Sequence, residues 1–276
     1  MKTCIVRWLP VLVSLILLIS CKDDLPTGAQ FRIKKVTMQG DQQYLTDTYY
    51  YSGNGRLSSM DKAYSDRRKT SNYDLYYKTV FRYDARGRLI LMEKQPDGTG
   101  HGTIYPGSYT YQYDANGNIS LIKYRIDSPD ANDNRLAKET ISYQYGSNRQ
   151  PIRVTDFNDV FGDGFIYEYS YKDGNVAAIK KTKVTYSGET ELVSTRTYQF
   201  DDKPNPFYGL FTGLPDPDTF NGYTFKQNSF YQSNTFNRNN IIFAQYDYEY
   251  DSYGRLTKII TPGPGKVITA FEYEMY

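Results

Sequence analysis

Phe81-Arg82-Tyr83-Asp84-Ala85-Arg86-Gly87-Arg88-Leu89 is the stretch that decides the fold. Phe81 and Tyr83 stand two apart, which places both rings on one face of an extended strand. Asp84 suits the first position of a type I turn, where its carboxylate accepts backbone N–H groups, and Gly87 takes the positive φ that closes such a turn. Arg88-Leu89-Ile90-Leu91-Met92 then returns as a second strand. Simple alternation predicts Leu89 and Leu91 on one face of it, with Arg88 and Ile90 on the other. The segment therefore spells the tip of a β-hairpin.

The same unit recurs. Tyr111-Gln112-Tyr113-Asp114-Ala115-Asn116-Gly117-Asn118-Ile119 and Tyr248-Glu249-Tyr250-Asp251-Ser252-Tyr253-Gly254-Arg255-Leu256 repeat it clearly. Looser copies run from Tyr49 to Leu57, from Tyr143 to Ile152 and from Tyr169 to Val176, and Tyr198-Gln199-Phe200-Asp201 begins one and then departs. The spacing of roughly 30 residues marks a repeat architecture of two strands and a longer return loop per unit. The expectation is an all-β protein: an antiparallel meander of about a dozen to sixteen strands, forming a long sheet that twists and curls, with an open coil and a barrel-like closure as the two outcomes. Tyrosine supplies 30 of the 276 residues and suits that sheet, with the ring covering an apolar face and the hydroxyl left in water. The arginine of each unit reads as a solvated flank.

These residues resemble YD repeats, the Tyr-Asp units of Rhs-type proteins, whose hairpins form a long spiralling sheet. The resemblance covers most of Tyr44 to Tyr276, although this chain has neither the length nor a toxin segment of a full Rhs protein. It is similar to short, uncharacterised YD-like lipoproteins of the Bacteroidota, which implies a fold and a cell-surface location and no assigned chemistry. Tyr83, Asp84, Gly87, Tyr113, Asp114, Gly117, Tyr250, Asp251 and Gly254 are its turn-forming positions here.

The first twenty residues read as a signal peptide. Lys2 and Arg7 form a basic region, and the apolar run from Trp8 to Ile19 is short for a bilayer span and interrupted by Pro10. Leu18-Ile19-Ser20-Cys21 resembles the lipobox of bacterial lipoproteins, in which the cysteine is acylated and becomes the new N-terminus. An ordinary secretory signal and an uncleaved anchor are the competing readings. Lys22-Asp23-Asp24 resembles the acidic tag that directs Bacteroidota lipoproteins to the outer face of the outer membrane. Two or three acyl chains would hold the protein there stably. The domain reading is then a signal peptide over 1–20, a lipidated tether over 21–30 and a single YD-repeat-like domain over 31–276 with an irregular insertion at about 201–240.

Cys4 and Cys21 are the only cysteines, so the mature domain holds no disulfide, and its size allows a core without one. Lys2 and Arg7 are also the only charged side chains before Cys21, and they account for the formal charge of +2. A neutral mature domain argues against nucleic acid or an anionic membrane surface as the main partner.

Chemistry is sparse. His101, the single histidine, sits in the glycine-rich run Gly98-Thr99-Gly100-His101-Gly102 and reads as an ordinary loop residue, which leaves no catalytic residue to name. Asp156, Asn158, Asp159 and Asp163 gather oxygen ligands of the kind Ca²⁺ favours, though solvated turns explain them as well, and Asp127 to Asn134 is a similar loop. In the insertion, Phe207 and Tyr208 follow Lys203-Pro204-Asn205-Pro206 and read either as an aromatic ligand platform or as a cap on the end of the sheet. No cofactor is expected. The leading function is a non-catalytic outer-membrane surface lipoprotein acting as a binding or scaffold module. The alternatives are a carbohydrate-binding or carbohydrate-active protein using exposed rings and loop carboxylates, and an accessory subunit of an outer-membrane complex. A membrane-spanning barrel is disfavoured because a lipid anchor would be redundant on it.

Overall fold

A computed structural model describes residues 30–41, 43–66, 75–96, 107–126, 138–210, 237–263 and 265–276. Its strands in chain order are β1 (Phe31–Gln39), β2 (Gln43–Tyr51), β3 (Leu57–Asp66), β4 (Leu75–Tyr83), β5 (Leu89–Pro96) and β6 (Gly107–Tyr113). Then come β7 (Ile119–Ile126), β8 (Lys138–Tyr145), β9 (Pro151–Asn158), β10 (Asp163–Lys172), β11 (Asn175–Thr185) and β12 (Thr190–Thr197). The last five are β13 (Gln199–Pro204), β14 (Asn239–Ile242), β15 (Asp247–Tyr250), β16 (Leu256–Thr261) and β17 (Val267–Met275). Fifteen of them form one antiparallel sheet in the order β12-β11-β10-β9-β8-β7-β6-β5-β4-β3-β2-β1-β17-β16-β15. The all-β meander read from the repeat is thus the observed fold. The sheet stays open, with β12 and β15 as its edges, and the first and last strands pair with each other inside it.

The turns of the repeated unit all lie at one end of this sheet, because each closes a hairpin of the same polarity: β2–β3, β4–β5, β6–β7, β8–β9, β10–β11 and β15–β16. In the β4–β5 turn, Asp84 Oδ1 accepts the N–H groups of Arg86 at 3.0 Å and Arg88 at 2.8 Å, and Gly87 has φ 80°. Asp114 and Asp251 repeat the pattern. The copy that lost its glycine puts Arg149 at φ 61°, and the shortened copy uses Asp173 at φ 53° followed by Gly174 at φ 80°.

Strict alternation fails just after each turn. Tyr83 pairs Leu89, while its neighbour Arg82 pairs Leu91, so Ile90 is an extra residue in the returning strand. The same bulge follows Tyr51, Tyr113, Tyr145, Tyr171 and Tyr250. One extra residue reverses the facing of everything after it. The buried residues of the returning strands are therefore three apart: Leu57 and Met60, Leu89 and Met92, Ile119 and Ile122, Val176 and Ile179, Leu256 and Ile259. Leu91 does not share the face of Leu89 as alternation had predicted. The bulge also accounts for Ile90 and Ile152, which stand 40% and 45% exposed at the extra positions.

The tyrosine hydroxyls do not stay in water. Tyr83 donates to the Leu57 carbonyl at 2.8 Å, Tyr113 to Leu89 at 2.7 Å and Tyr171 to Pro151 at 2.6 Å. Tyr51 reaches Ile33 at 2.7 Å and Tyr273 reaches Leu256 at 2.8 Å, and Tyr145 bonds the backbone of Ile119. In each case the acceptor belongs to the neighbouring unit, which turns the repeated tyrosine into a rivet between hairpins worth about 1 kcal/mol. Arg88 and Arg255 are not solvated flanks either. Arg88 Nε bonds Asp84 Oδ2 at 2.7 Å while its guanidinium lies 4.5 Å from the Tyr113 ring centroid. Arg255 does the same with Asp251 and the Tyr273 ring, and Arg56 lies over Tyr83.

The outward face carries ion pairs across neighbouring strands: Arg82–Glu93 at 3.0 Å, Lys180–Glu168 at 2.9 Å, Lys258–Glu249 at 2.7 Å and Lys35–Glu272 at 3.5 Å. The outer wall of a membrane barrel is an apolar band, and this surface is not one.

Candidate functional site

Toward the end of the sheet away from the turns, the inward face changes character. Asp47 on β2 and Lys62 on β3 are cross-strand partners, with Lys62 Nζ 3.4 Å from Asp47 Oδ1, and they are only 3% and 7% exposed. Burial raises the Asp47 pKa against the opposing pull of Lys62. Burial acts to lower that of Lys62, but Asp47 and Tyr77 outweigh it and hold the ammonium form. On β5, Lys94 lies 5.5 Å from the Tyr109 ring centroid and 5.9 Å from that of Tyr124, and those two rings stack at 4.3 Å. Burial first, and then the like charge of Lys62, bring the Lys94 pKa down to about 8. Glu139 is pushed up by burial, with Lys94 opposing. On β11, Lys181 Nζ sits 4.1 Å from the Phe165 ring centroid.

This stripe alternates charge with aromatic rings along adjacent strands, an arrangement able to hold polar or charged groups against stacked rings. Two of its polar atoms, Asp47 Oδ1 and Thr79 Oγ1, are buried without a hydrogen-bond partner, although Asp47 keeps its ion-pair contact with Lys62; nearer the turns the Tyr143 hydroxyl is buried in the same way. Sequence reading missed the stripe because its members, such as Asp47 and Lys62, come together only through strand register. The signal that could have found it is a charged residue at an inward position of several strands.

The insertion residues divide. Phe207 is 1% exposed and packs edge-on against Phe271 at 6.1 Å, so it belongs to the core, while Tyr208 is 53% exposed. Asn205 positions this turn, accepting the Phe207 N–H at 3.0 Å and donating to the Asn237 carbonyl at 2.8 Å. β13 and β14 pair as a separate two-stranded ribbon lying across the turn end. Asn237 Oδ1 accepts the Val176 N–H at 2.7 Å on one side, and Tyr250 OH donates to Asp201 on the other. Asp201 thus takes the place of the backbone carbonyl that other repeat tyrosines use. Pro204 is tolerated in β13 because a two-stranded ribbon leaves a free edge.

The four oxygen-bearing residues considered for Ca²⁺ are each engaged in separate ways. Asn158 Oδ1 accepts the N–H groups of Val160 and Phe161 at 3.0 Å. Asp159 accepts the Thr140 hydroxyl at 3.0 Å, and Asp163 lies 3.6 Å from Lys183 Nζ. By strand register Asp156 falls on the inward face, opposite Ile141 and Phe165. Among the described residues no group of three His, Cys, Asp or Glu side chains is placed to hold a metal ion. Cys21, Lys22, Asp23, Asp24, His101, the loop from Asp127 to Asn134 and residues 211–236 lie outside the described residues.

No family model and no curated protein sequence matches the chain. Among solved structures, a porin-like protein from Bacteroides uniformis is similar at 14% identity and a TM-score of 0.53, covering 88% of this chain and 98% of that one. The TcdB2-TccC3 structure is similar at 11% identity over 80% of this chain and 13% of that one, with a TM-score of 0.32. The first likeness is one of fold, and the second is too loose to carry an argument.

Proposed function

We propose that this protein is a lipid-anchored outer-membrane surface protein whose sheet serves as a binding or scaffold module. The observation that carries this is Leu18-Ile19-Ser20-Cys21 followed directly by Lys22-Asp23-Asp24, a lipobox-like string with an acidic export tag. The fold shared with a porin-like Bacteroides protein supports association with the outer membrane. The ion pairs on the outward face keep the sheet itself out of the lipid, so attachment falls to the anchor.

Replacing Cys21 with Ala is expected to leave an unacylated protein that no longer sediments with membranes. Normal membrane fractionation of that variant would overturn the anchor. Changing Lys22, Asp23 and Asp24 to Ala is expected to shield the protein from protease added outside intact cells, and undiminished cleavage would remove the export tag from the account.

A second reading, an accessory subunit of an outer-membrane complex, is favoured by one feature. The edge strand β12 exposes Leu192 at 58% and Val193 at 52%, near an unpaired row of backbone groups. Crosslinking from a Cys placed at Thr195 in intact cells tests it, and capture of no outer-membrane protein would sink it. Glycan binding through a Phe207–Tyr208 platform is weakened by the burial of Phe207.

A further inference from the structure

Among the described residues, the turns at the two ends of the sheet carry opposite charge. At the turn end the exposed ionic residues are Arg56, Arg86, Arg149, Lys172 and Arg238, set against Asp173 and Asp202, and Asp202 lies 3.0 Å from Lys203 Nζ. The turn arginines Arg88 and Arg255 are neutralised by their own Asp84 and Asp251, so the excess lies on the exposed set. Exposed rings stand among these cations, Tyr208 at 53%, Tyr253 at 46% and Tyr276 at 57%, but Phe161 and Tyr186 are exposed at the opposite end too, so it is charge that distinguishes the two ends. In the described turns of the opposite end the exposed ionic residues are Asp41, Asp159 and Glu189, with Lys266 the one cation. Among the described residues, a chain whose charges nearly balance overall therefore carries its exposed cations mainly on the turn end and its exposed carboxylates on the described turns of the other.

The chain also enters the sheet at the basic end. Phe31, the first residue of β1, lies beside the β15–β16 turn, with the Arg255 guanidinium 3.8 Å from its ring centroid and the Tyr253 ring 6.2 Å away. Nine residues lie between Cys21 and Phe31, and the ten Cα–Cα steps across them reach at most about 35 Å when fully extended and far less on average. The strands are themselves roughly 30 Å long, so a tether of this length keeps the turn end nearer the lipid without fixing how the domain stands. The charge asymmetry supplies what the tether lacks.

We propose that the turn end is a membrane-contact face. Arg56, Arg86, Arg149, Lys172 and Arg238 seat on the phosphates of an anionic lipid surface, the exposed tyrosines sit at headgroup level, and the acidic end points away. Cations near such a surface each contribute about 1 kcal/mol and the attraction fades within a Debye length, so a few of them suffice to orient a tethered domain. Tyrosine is the residue type enriched at membrane–water interfaces. The inference rests on the lipid anchor proposed above. It also revises the expectation drawn from net charge, which cannot register segregation.

The test uses the full acylated protein reconstituted into vesicles of phosphatidylcholine with or without an equal share of phosphatidylglycerol. A fluorophore is placed at Asn116→Cys on the turn end or at Ser187→Cys on the opposite end, and a headgroup-linked nitroxide serves as quencher. Several-fold stronger quenching at position 116 than at 187 is expected in anionic vesicles. That contrast is expected to fall in phosphatidylcholine alone and in an Arg86→Glu/Lys172→Glu variant whose near-UV circular dichroism is unchanged. Equal or reversed quenching would overturn the contact face. So would a contrast insensitive to both lipid charge and the variant, since the tether alone would then set the orientation. The acyl mass on the Cys21 peptide, measured on the same samples, decides the anchor separately from the face.

Discussion

At the turn end of the sheet, Tyr113 donates to the Leu89 carbonyl and Arg88 covers the Tyr113 ring, and neighbouring units repeat both contacts. Toward the other end of the same sheet, Lys62 meets Asp47 at 3.4 Å in a pair that belongs to one hairpin, and Lys94 sits among rings that belong to the next. One end is built by a rule and the other residue by residue. Regular contacts at the turns hold register and spacing, and this leaves the inward positions further along free to carry charges that do not serve the repeat.

The comparison breaks most easily at Lys62. Removing one partner of a buried ion pair strands the other charge, so Lys62→Met is expected to cost about 3–5 kcal/mol in denaturant unfolding. The double variant Asp47→Leu/Lys62→Met should recover most of that. In the single variant the deficit should shrink near pH 4. Burial already raises the Asp47 pKa above its ordinary 3.8, and protonation relieves the stranded charge, so stability falls as pH climbs through and above that value. A single variant as stable as the parent would mean the opposite end is as solvated as the outward face.

Lys94 sharpens the same contrast through pH. Its folded-state value of about 8 lies below the ordinary 10.5, so between those values the unfolded chain holds the extra proton. This group therefore makes stability rise with pH across that window, by on the order of 1–3 kcal/mol, and Lys94→Met should abolish that rise. Unfolding midpoints at pH 7 and pH 10 for parent and variant measure it. The turn aspartates act at the other extreme. The backbone N–H groups of Arg88 and Asn118 hold Asp84 and Asp114 below their usual range, so the stability they add is present above pH 3.8 and is lost as pH falls through the depressed values.

Two turns of the same type differ in their surroundings. Gly87 and Gly117 have φ of 80° and 82°, but a Cβ on Gly87 would come within 1.9 Å of the Arg56 guanidinium, whereas one on Gly117 meets nothing within 4 Å. Both alanine variants should lose about 1–2 kcal/mol to backbone strain. Gly87→Ala should lose up to about 0.5–1 kcal/mol more by moving Arg56 off the Tyr83 ring. Thermal unfolding of both variants compares them directly, and equal losses would make the arginine a bystander.

What was legible in the sequence was the local chemistry. Asp84 and Gly87 announce a turn because the carboxylate and the missing Cβ act within four residues, and six such turns in one meander follow from their repetition. The bulge was less visible, since alternation assumes an unbroken ladder. Its trace was nevertheless present in the three-residue spacing of Leu57 and Met60, Leu89 and Met92, Ile119 and Ile122. The partner of Arg88 could not be read locally, because the Tyr113 ring it covers belongs to the next hairpin. Phe207 read either as a platform ring or as a cap on the end of the sheet, and only the ribbon across the turn end, which packs it inward against Phe271, decides for the cap. The Lys62–Asp47 pair depends on register, and the charged ends of the sheet depend on where each turn falls, neither of which composition records.

The smallest effect is the most discriminating. Tyr113 and Tyr143 are both inward-facing repeat tyrosines, but the Tyr113 hydroxyl donates to Leu89 at 2.7 Å while that of Tyr143 is buried without a hydrogen-bond partner. Tyr113→Phe leaves the Leu89 carbonyl unanswered and should cost about 1 kcal/mol. Tyr143→Phe removes only an unpaired polar atom and should be neutral or stabilising by a few tenths of a kcal/mol. If denaturant midpoints move equally for the two, the rivet between hairpins is not what the hydroxyl provides, and the repeat holds by ring packing alone.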